Sequence, residues 1–136
     1  MIENSDEIKM IIAVRRDLKM TRGKEIAQSC HACLGAVLHE GSYQFDETKN
    51  ELNHIPVDKK TIKWLESGCA KICVKINSEQ ELYDLQKKAD AAGINCCLIV
   101  DAGRTMFHGI ETPTCIALGP ASSAELDPIT GMLQLY

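Results

Sequence analysis

MIIAVRRDLKMTRGKEIAQSCHACLGAVLHE, residues 10–40, is the stretch that decides the fold. It opens with Met10–Val14, an apolar run rich in β-branched side chains, which predicts a buried strand. After a charged segment, apolar side chains recur at helical spacing from about Gly23 to about Glu40, with Gly41 as the expected stop. One face of this predicted helix should pack on the sheet. That face consists of Ile26, Cys30, Cys33, Leu34, Val37 and Leu38.

The remaining segments alternate between predicted helices and strands. A capping box, Ser78-x-x-Glu81, and glycine stops at Gly68 and Gly93 mark helix ends. Strands separated by helices predict a sheet, partly parallel, with helices packed on its faces, in a single domain over residues 1–136. The predicted elements are a loop over 41–57, a short helix from Asp58 to Gly68, a strand over Ala70–Ile76, a helix from Ser78 to Gly93, strands over Cys96–Val100 and Thr114–Leu118, turns at Asp127-Pro128 and Gly131, and a short terminal strand with Leu133 and Leu135.

Composition indicates an ordinary globular domain. The chain has 136 residues, of which 45% are hydrophobic and 25% charged, enough to bury a core without metals or disulfides. No apolar run exceeds five residues, whereas a membrane-spanning helix needs about 20. The opening MIENSDEIK is acidic and polar, unlike a signal peptide or a presequence. We therefore expect a cytoplasmic protein with no membrane segment.

The charge distribution indicates a local anion site. Net charge is −4, yet residues 15–24 hold five basic residues and one acidic residue. The rest of the chain holds ten basic and eighteen acidic residues. One cationic spot on an anionic body favours a localised site for anions over a broad surface that follows nucleic-acid phosphates. A solvated basic loop is the alternative.

The seven cysteines are interpreted as small hydrophobic side chains in a reducing compartment. The CxxC formed by Cys30 and Cys33 falls well inside the predicted helix, away from the helix N-terminus that activates a redox cysteine. A zinc site needs about two further ligands, and adjacent Cys96 and Cys97 are poorly placed to chelate. We expect no metal, no cofactor and no redox role.

The predicted first helix also carries a polar stripe. Lys24, Gln28 and His31 are spaced at i, i+4 and i+7, so they share one side of the helix, away from its apolar face. Such a stripe is often only the solvated side of a helix. Arg22 and Lys24, however, fall in the first turn, where the helix dipole disfavours cations by roughly 0.3–1 kcal/mol. A bound anion such as a phosphate would offset this cost.

A second polar segment follows the Cys96–Val100 strand. Asp101-Ala-Gly-Arg104-Thr105 begins where this strand ends. Ligands of α/β sheets bind beyond the carboxyl ends of the strands. We therefore expect this segment and the start of the first helix to form one working surface.

Both segments resemble motifs of one enzyme family. Arg22-Gly-Lys-Glu-Ile-Ala-Gln-Ser-Cys-His-Ala32 resembles the GK-x-A-A-Q-x-x-H-A helix start of the archaeal/eukaryotic-type (second-type) peptidyl-tRNA hydrolases, and Asp101-Ala-Gly-Arg-Thr105 resembles their DAGRT loop. The similarity runs from Lys9 onward. It implies a mixed, mostly four-stranded sheet with helices on both faces, and a homodimer. It also implies metal-independent cleavage of the ester between a peptide and the 3′ ribose of tRNA.

The resemblance implies roles for individual residues, since the family's functional positions match Lys24, Gln28, His31, Asp101 and Thr105. Ester hydrolysis needs an aimed water, a base or orienting carboxylate, and a donor for the developing oxyanion. We predict that Lys24, Asp101 and Thr105 are catalytic, with either Asp101 or Thr105 activating water. The predicted substrate-binding residues, which would contact tRNA, are Arg22, Gln28, His31 and Arg104.

Three features depart from the family pattern. Ile26 replaces a usual alanine, and Met106 stands where a glutamine or glutamate normally follows the threonine. The Phe107–Thr114 segment is longer than in archaeal members. Because these features border the predicted pocket, they bear on substrate preference more than on chemistry. The alternative function is a non-catalytic module that binds a tRNA end or a nucleotide on the same fold, and Met106 is the feature that supports it.

Overall fold

A computed structural model of the chain describes residues 7–39, 44–53 and 57–136. Within these ranges, the strands are β1 (Ile8–Arg15), β2 (Gln44–Asp46), β3 (Glu51–Asn53), β4 (Lys71–Ile76), β5 (Cys96–Asp101) and β6 (Thr112–Ser122). The helices are α1 (Arg22–Leu38), α2 (Lys59–Glu66), α3 (Glu79–Ala91) and α4 (Ser123–Thr130). A 3₁₀ turn over Phe107–Gly109 lies between β5 and β6. No helix in these ranges is long and apolar enough to cross a bilayer.

The sheet is mixed and has four strands in the order β4-β1-β6-β5. β1 pairs with β4 in parallel, whereas β6 runs antiparallel to both β1 and β5. Close to the C-terminus, Leu135 forms an antiparallel bridge to Val74 on the outer edge of β4. The predicted mixed sheet is confirmed, with β6 longer than the predicted Thr114–Leu118 strand.

Helices cover both faces of the sheet, as predicted. On one face, α3 and α4 bury Leu82, Leu85 and Leu126 against sheet residues such as Ile116. On the other face, α1 and α2 form a second core over the opposite side of β1 and β6. Its members include Ile12, Ala32, Ala36, Trp64 and Ala117. The sheet is therefore the middle layer of three, and each face has its own core.

The predicted packing face of α1 is wrong for Ile26, Cys30 and Leu34, which are exposed, whereas Cys33 and Val37 pack partly buried against the core. Ile26 and Leu34 are each 58% exposed, and the helix instead packs mainly on β6 and β5. The residues that α1 buries are Glu25, Gln28, Ala32, Gly35 and Ala36. Alanine and glycine have so little side-chain volume that the helix backbone lies close to the sheet, which larger apolar side chains on that face would prevent. A hydrophobicity pattern ranks residues by polarity and does not take this effect of side-chain size into account.

Helix ends follow the predicted chemistry at most positions. Asp58 and Ser78 cap α2 and α3 by accepting from the backbone N–H of the third following residue. α1 ends at Leu38, and His39 closes it in the left-handed conformation at φ 51°. The predicted stop at Gly41 lies outside the described residues.

Two segments differ from their predictions. Residues 44–53, predicted as part of a loop, form a two-stranded hairpin of β2 and β3. After β6, turn residues were predicted, yet α4 forms there. A reciprocal capping box between Ser122 and Glu125 starts this helix, and it outweighs the turn signal of Asp127-Pro128. The predicted terminal strand is reduced to the single bridge at Leu135.

Candidate active site

The first turn of α1 meets the loop that follows β5, as predicted. The Nζ atom of Lys24 lies 2.9 Å from Oδ1 of Asp101 and 3.0 Å from Oγ1 of Thr105. Thr21, the residue before α1, accepts from the backbone N–H of Lys24 at 3.2 Å and fixes the start of the helix. Three residues from two distant parts of the sequence therefore form one hydrogen-bonded cluster, with the lysine at its centre.

Gln28 extends this cluster into the interior. Its Nε2 donates to Oδ1 of Asp101 at 3.3 Å, and its Oε1 accepts from Oγ1 of Thr114 at 2.6 Å. Asp101 sets which way round the amide of Gln28 lies, because a carboxylate can only accept, and the fully buried hydroxyl of Thr114 donates to the amide oxygen. The polar stripe of α1 thus turns toward the sheet at Gln28, contrary to the prediction that it lies away from the core. The sequence analysis did not identify Thr114 as a site residue. A hydroxyl side chain within an otherwise apolar predicted strand is the feature that could have indicated it.

Asp101 is held as a carboxylate. Besides Lys24 and Gln28, the backbone N–H of Gly103 donates to its Oδ2 at 3.0 Å. The hydrogen bond from Lys24 is the main cause that lowers the pKa of this carboxyl below its usual value of 3.8, and the bonds from Gly103 and Gln28 act in the same direction. Gly103 has φ +78°, and a Cβ there would lie 2.5 Å from the carbonyl oxygen of Ile110. Only glycine therefore fits this turn without movement of the backbone.

The other three predicted substrate-binding residues lie at the surface. Arg22, His31 and Arg104 are all exposed. Arg22 lines a groove on the far side of α1 from Asp101. The cluster around Lys24 therefore consists of the three predicted catalytic residues and Gln28, together with Thr114.

The basic segment is neutralised largely within the protein. Arg15 pairs with Asp17 at 2.7 Å, Arg16 with Glu25 at 3.1 Å, and Lys24 with Asp101. Of the five cations, Lys19 and Arg22 are the exposed ones without such an ion pair among the described residues. The acceptor that offsets the cost of a cation in the first turn is thus Asp101 itself, so an external phosphate is not needed to explain Lys24.

A groove of about 750 Å³ lies between α1, α2 and the β1–β4 side of the sheet. We call it the apolar groove. Its lining includes Ile12, Val14, Cys33, Trp64, Leu65 and Tyr136. One wall of the groove is an apolar ridge on the outward side of α1, formed by Ile26, Cys30 and Leu34. These are residues of the helix face that was predicted to be buried.

The cysteines show no sign of a metal or redox site in the described ranges. No disulfide links any of the seven, and no group of three or more His, Cys, Asp or Glu residues there could hold a metal ion. Burial raises the pKa of the Cys33 thiol. Cys30 and Cys33 both lie in the middle of α1, away from the helix N-terminus that activates the first cysteine of a redox CxxC.

Comparisons with known proteins give a consistent result. The family model described as "Peptidyl-tRNA hydrolase PTH2" matches residues 8–136. A "Probable peptidyl-tRNA hydrolase 2" of Drosophila melanogaster is 39% identical over 131 residues, which is 96% of this chain and 63% of that protein. A "Peptidyl-tRNA hydrolase" of Halobacterium salinarum is 39% identical over 129 residues, covering 95% of this chain and 100% of that protein.

A yeast protein and one solved structure are also similar to this chain. The "Peptidyl-tRNA hydrolase 2" of Saccharomyces cerevisiae is 38% identical over 130 residues, 96% of this chain and 59% of that protein. The chain thus spans about three fifths of the eukaryotic relatives named here and all of the haloarchaeal one. A protein of unknown function from Agrobacterium has a TM-score of 0.58 at 12% identity, covering 94% of this chain and 96% of that one, which shows a shared fold alone.

Proposed function

The chain belongs to the peptidyl-tRNA hydrolase PTH2 family, and from that membership we propose that it hydrolyses the ester between a peptide, or an N-blocked amino acid, and the 3′ end of tRNA. The observation that carries the proposal is the position of Lys24 between Asp101 and Thr105 at the end of β5. In the reaction, the oxygen of water bonds to the ester carbonyl carbon and the bond to the 3′ oxygen breaks. The products are a carboxylate and a tRNA 3′ hydroxyl.

Lys24 is proposed to stabilise the oxyanion. An ammonium group has three N–H donors, and among the described residues two of them are engaged, by Asp101 and Thr105. The third is available to a carbonyl oxygen as negative charge develops on it. A fixed cation that is already oriented stabilises that charge without reorganising during the reaction.

Asp101 is proposed to orient rather than to take up a proton. An efficient general base has a pKa near the working pH, whereas the pKa of Asp101 is lowered, chiefly by the hydrogen bond from Lys24. The carboxylate instead holds Lys24 in place. The Oγ1 atom of Thr105 accepts from Lys24, so its own hydrogen points to another acceptor, which we assign to the attacking water or the substrate.

Substrate binding is proposed for the exposed rim of the site. Gln28 is fixed by Thr114 and Asp101, and His31 and Arg104 are accessible to the phosphates and ribose of a tRNA end. Arg22 lines the apolar groove instead, so this rim does not include it. We propose a metal-independent reaction in the cytoplasm.

The alternative of a non-catalytic binding module gains no support, because Met106 packs partly buried against the core formed with α1 and α2. A core contact explains this residue without a loss of activity.

A homodimer is proposed from the outward side of α1. The apolar ridge of Ile26, Cys30 and Leu34 follows i, i+4 spacing and forms one wall of the apolar groove. Ridges of this spacing pack into the grooves of a facing helix. Because one chain offers both shapes side by side, two copies related by a twofold axis bury both at once.

The function is tested with N-blocked aminoacyl-tRNA, by measuring release of the blocked amino acid. Wild-type protein should cleave it, in EDTA as well, and should leave free aminoacyl-tRNA intact. Lys24→Ala should slow cleavage about 10²–10³-fold, the usual effect of removing one oxyanion donor. Lys87→Ala, an exposed lysine on α3, is the matched control and should match wild type. Absence of cleavage by wild type would refute the proposed function.

The dimer has its own test, sedimentation of wild type and of Leu34→Glu. Wild type should sediment as a dimer and Leu34→Glu as a monomer, because a charge in the ridge cannot be buried without a partner. Tyr83→Glu places the same charge at an exposed position of α3 and should leave the dimer intact. A monomeric wild type contradicts the proposal.

A further inference from the structure

The first turn of α1 is held on two sides, and only one side belongs to the proposed reaction. On one side, Lys24 bonds to Asp101 and Thr105. On the other side, the next residue, Glu25, turns toward β1 and is 5% exposed. Both carboxylate oxygens of Glu25 accept from Nη1 of Arg16, at 3.1 and 3.3 Å. A carboxylate this buried requires such a cation, because its desolvation is otherwise costly.

Arg16 is itself held by the last residue of the chain. Its guanidinium carbon lies 4.8 Å from the centre of the Tyr136 ring, within the range of a cation–π contact. Nη1 of Arg16 also donates to the hydroxyl of Tyr136. The planar guanidinium is therefore fixed by the ring on one face and by Glu25 at its edge.

Tyr136 is anchored through its backbone rather than its ring. Its N–H donates to the carbonyl of Cys73 on β4 at 3.0 Å. Two residues before it, the carbonyl of Gln134 accepts from the N–H of Lys75 at 2.9 Å. These bonds, with the bridge at Leu135, add the C-terminal segment to the edge of the sheet. The path from sheet to helix thus runs from β4 through Tyr136 and Arg16 to Glu25.

We propose that Arg16, Glu25 and Tyr136 form a clasp that positions Lys24 for hydrolysis; this inference rests on the proposed function. Lys24 and Glu25 are consecutive residues in one helical turn, so their side chains leave α1 about 100° apart and fix the turn in two directions. Capping does not require the clasp, because Thr21 already accepts from the N–H of Lys24. None of the three is a catalytic residue, and all act through the direction of the lysine.

The clearest variant is Tyr136→Ala. It removes the ring and the hydroxyl but keeps the ion pair, so no buried charge is left without a partner. We expect kcat to fall about tenfold with KM within about twofold, the pattern of lost positioning in the transition state. Tyr136→Phe keeps the ring and should recover most of the loss. Tyr83→Ala, a tyrosine on α3 that is 41% exposed, is the matched control and should behave as wild type.

A double-mutant cycle tests whether the three residues act as a unit. Arg16→Gln and Tyr136→Ala should each lower kcat, and the double variant should lower it by much less than the product of the two effects. Fully multiplicative effects would show that Arg16 and Tyr136 act separately and would overturn the clasp. Arg16→Gln keeps a hydrogen-bond donor for Glu25 but removes its cation, so the unfolding free energy of each variant is measured beside kcat.

Hydrogen exchange gives a readout that does not depend on activity. In Tyr136→Ala, amides of residues 24–29 should exchange severalfold faster than in wild type, whereas those of α3 should not change. Unchanged exchange in α1 overturns the clasp, as does unchanged kcat in an active wild-type background. A rise in KM with kcat preserved would assign Tyr136 to substrate binding and would also overturn it. If wild type cleaves no N-blocked aminoacyl-tRNA, the proposed function fails, while the exchange result still decides whether the clasp holds the helix.

Discussion

The two long sides of α1 reverse the usual arrangement of an amphipathic helix. The side against β6 and β5 carries Lys24, Gln28 and Ala32, polar or small, and it is largely buried. The outward side carries Ile26 and Leu34, large and apolar, and each is 58% exposed. The comparison teaches that volume and hydrogen-bond partners, rather than polarity alone, decide which side of this helix meets the sheet.

Each side has a physical reason for its position. On the inner side, burying the amide of Gln28 costs little because Thr114 and Asp101 satisfy it. The alanine beside it lets the helix approach closely enough for those bonds to form. On the outer side, exposed apolar residues that adjoin a groove are typical of a surface that meets a partner. The inner side therefore carries the candidate site, and the outer side is the one from which we propose the homodimer.

The largest expected effect comes from replacing Asp101, which pairs with Lys24 on the inner side of α1. Asp101→Asn keeps the shape of the side chain and loses the charge that holds Lys24, so hydrolysis should fall by up to about 10²–10³-fold, as on loss of Lys24 itself, while tRNA binding is retained. Single-turnover rates and a tRNA titration on the same variant measure the two quantities. Hydrolysis near the wild-type rate would show that the Lys24 cluster is not the reaction centre. Asp84→Asn, an exposed carboxylate on α3, is the control.

The next largest effect is expected from changing side-chain volume on the inner and outer sides of α1. Ala32→Leu adds bulk where α1 touches the sheet and should lower the free energy of unfolding by about 1–3 kcal/mol. Leu34→Ala removes the same bulk from the exposed side and should change the free energy of unfolding by less than about 0.5 kcal/mol in dilute, monomeric protein. Urea unfolding measures both. If the Leu34 change is the costlier of the two, the buried side has been misassigned.

A smaller effect is expected at Thr114. Thr114→Val leaves Oε1 of Gln28 without its donor and should destabilise the fold by about 1 kcal/mol. Gln28 is then held only by its bond to Asp101, so its amide is less firmly placed and kcat should fall severalfold. Thr112→Val, a less buried threonine of the same strand that donates to the Ile110 carbonyl, should cost less. Equal effects of the two substitutions would contradict a role for Thr114 in orienting Gln28.

The smallest effect is the dependence of stability on pH. The pKa of Asp101 is lowered in the folded state, mainly by the hydrogen bond from Lys24. Its contribution is therefore fully present above the unfolded value of 3.8 and is lost as pH falls through the folded value. The difference in unfolding free energy between wild type and Asp101→Asn should stay level from neutral pH to about 5 and shrink below about 4. A difference that grows on acidification would reverse the assigned sign.

Local signals in the sequence accounted for much of the fold. Apolar runs predicted β1 and β5, and Asp58 and Ser78 marked helix starts, because capping and β-branched packing act between near neighbours. The α4 helix was missed since the Asp127-Pro128 turn signal hid the capping box at Ser122 and Glu125. The hairpin over 44–53 was missed because its short strands carry no clear periodicity.

For the site, the sequence by itself determined the chemistry: a lysine at a helix start and a carboxylate and hydroxyl after a strand, in motifs of the PTH2 family. Only the tertiary structure decided that Lys24 meets Asp101 rather than an external anion, that Thr114 aligns Gln28, and that Tyr136 reaches Arg16. These contacts join residues between 77 and 120 positions apart. They depend on which side of α1 faces the sheet. Side-chain volume and hydrogen-bond pairing across the whole core decide that side, so a pattern of neighbouring residues in the sequence cannot predict it.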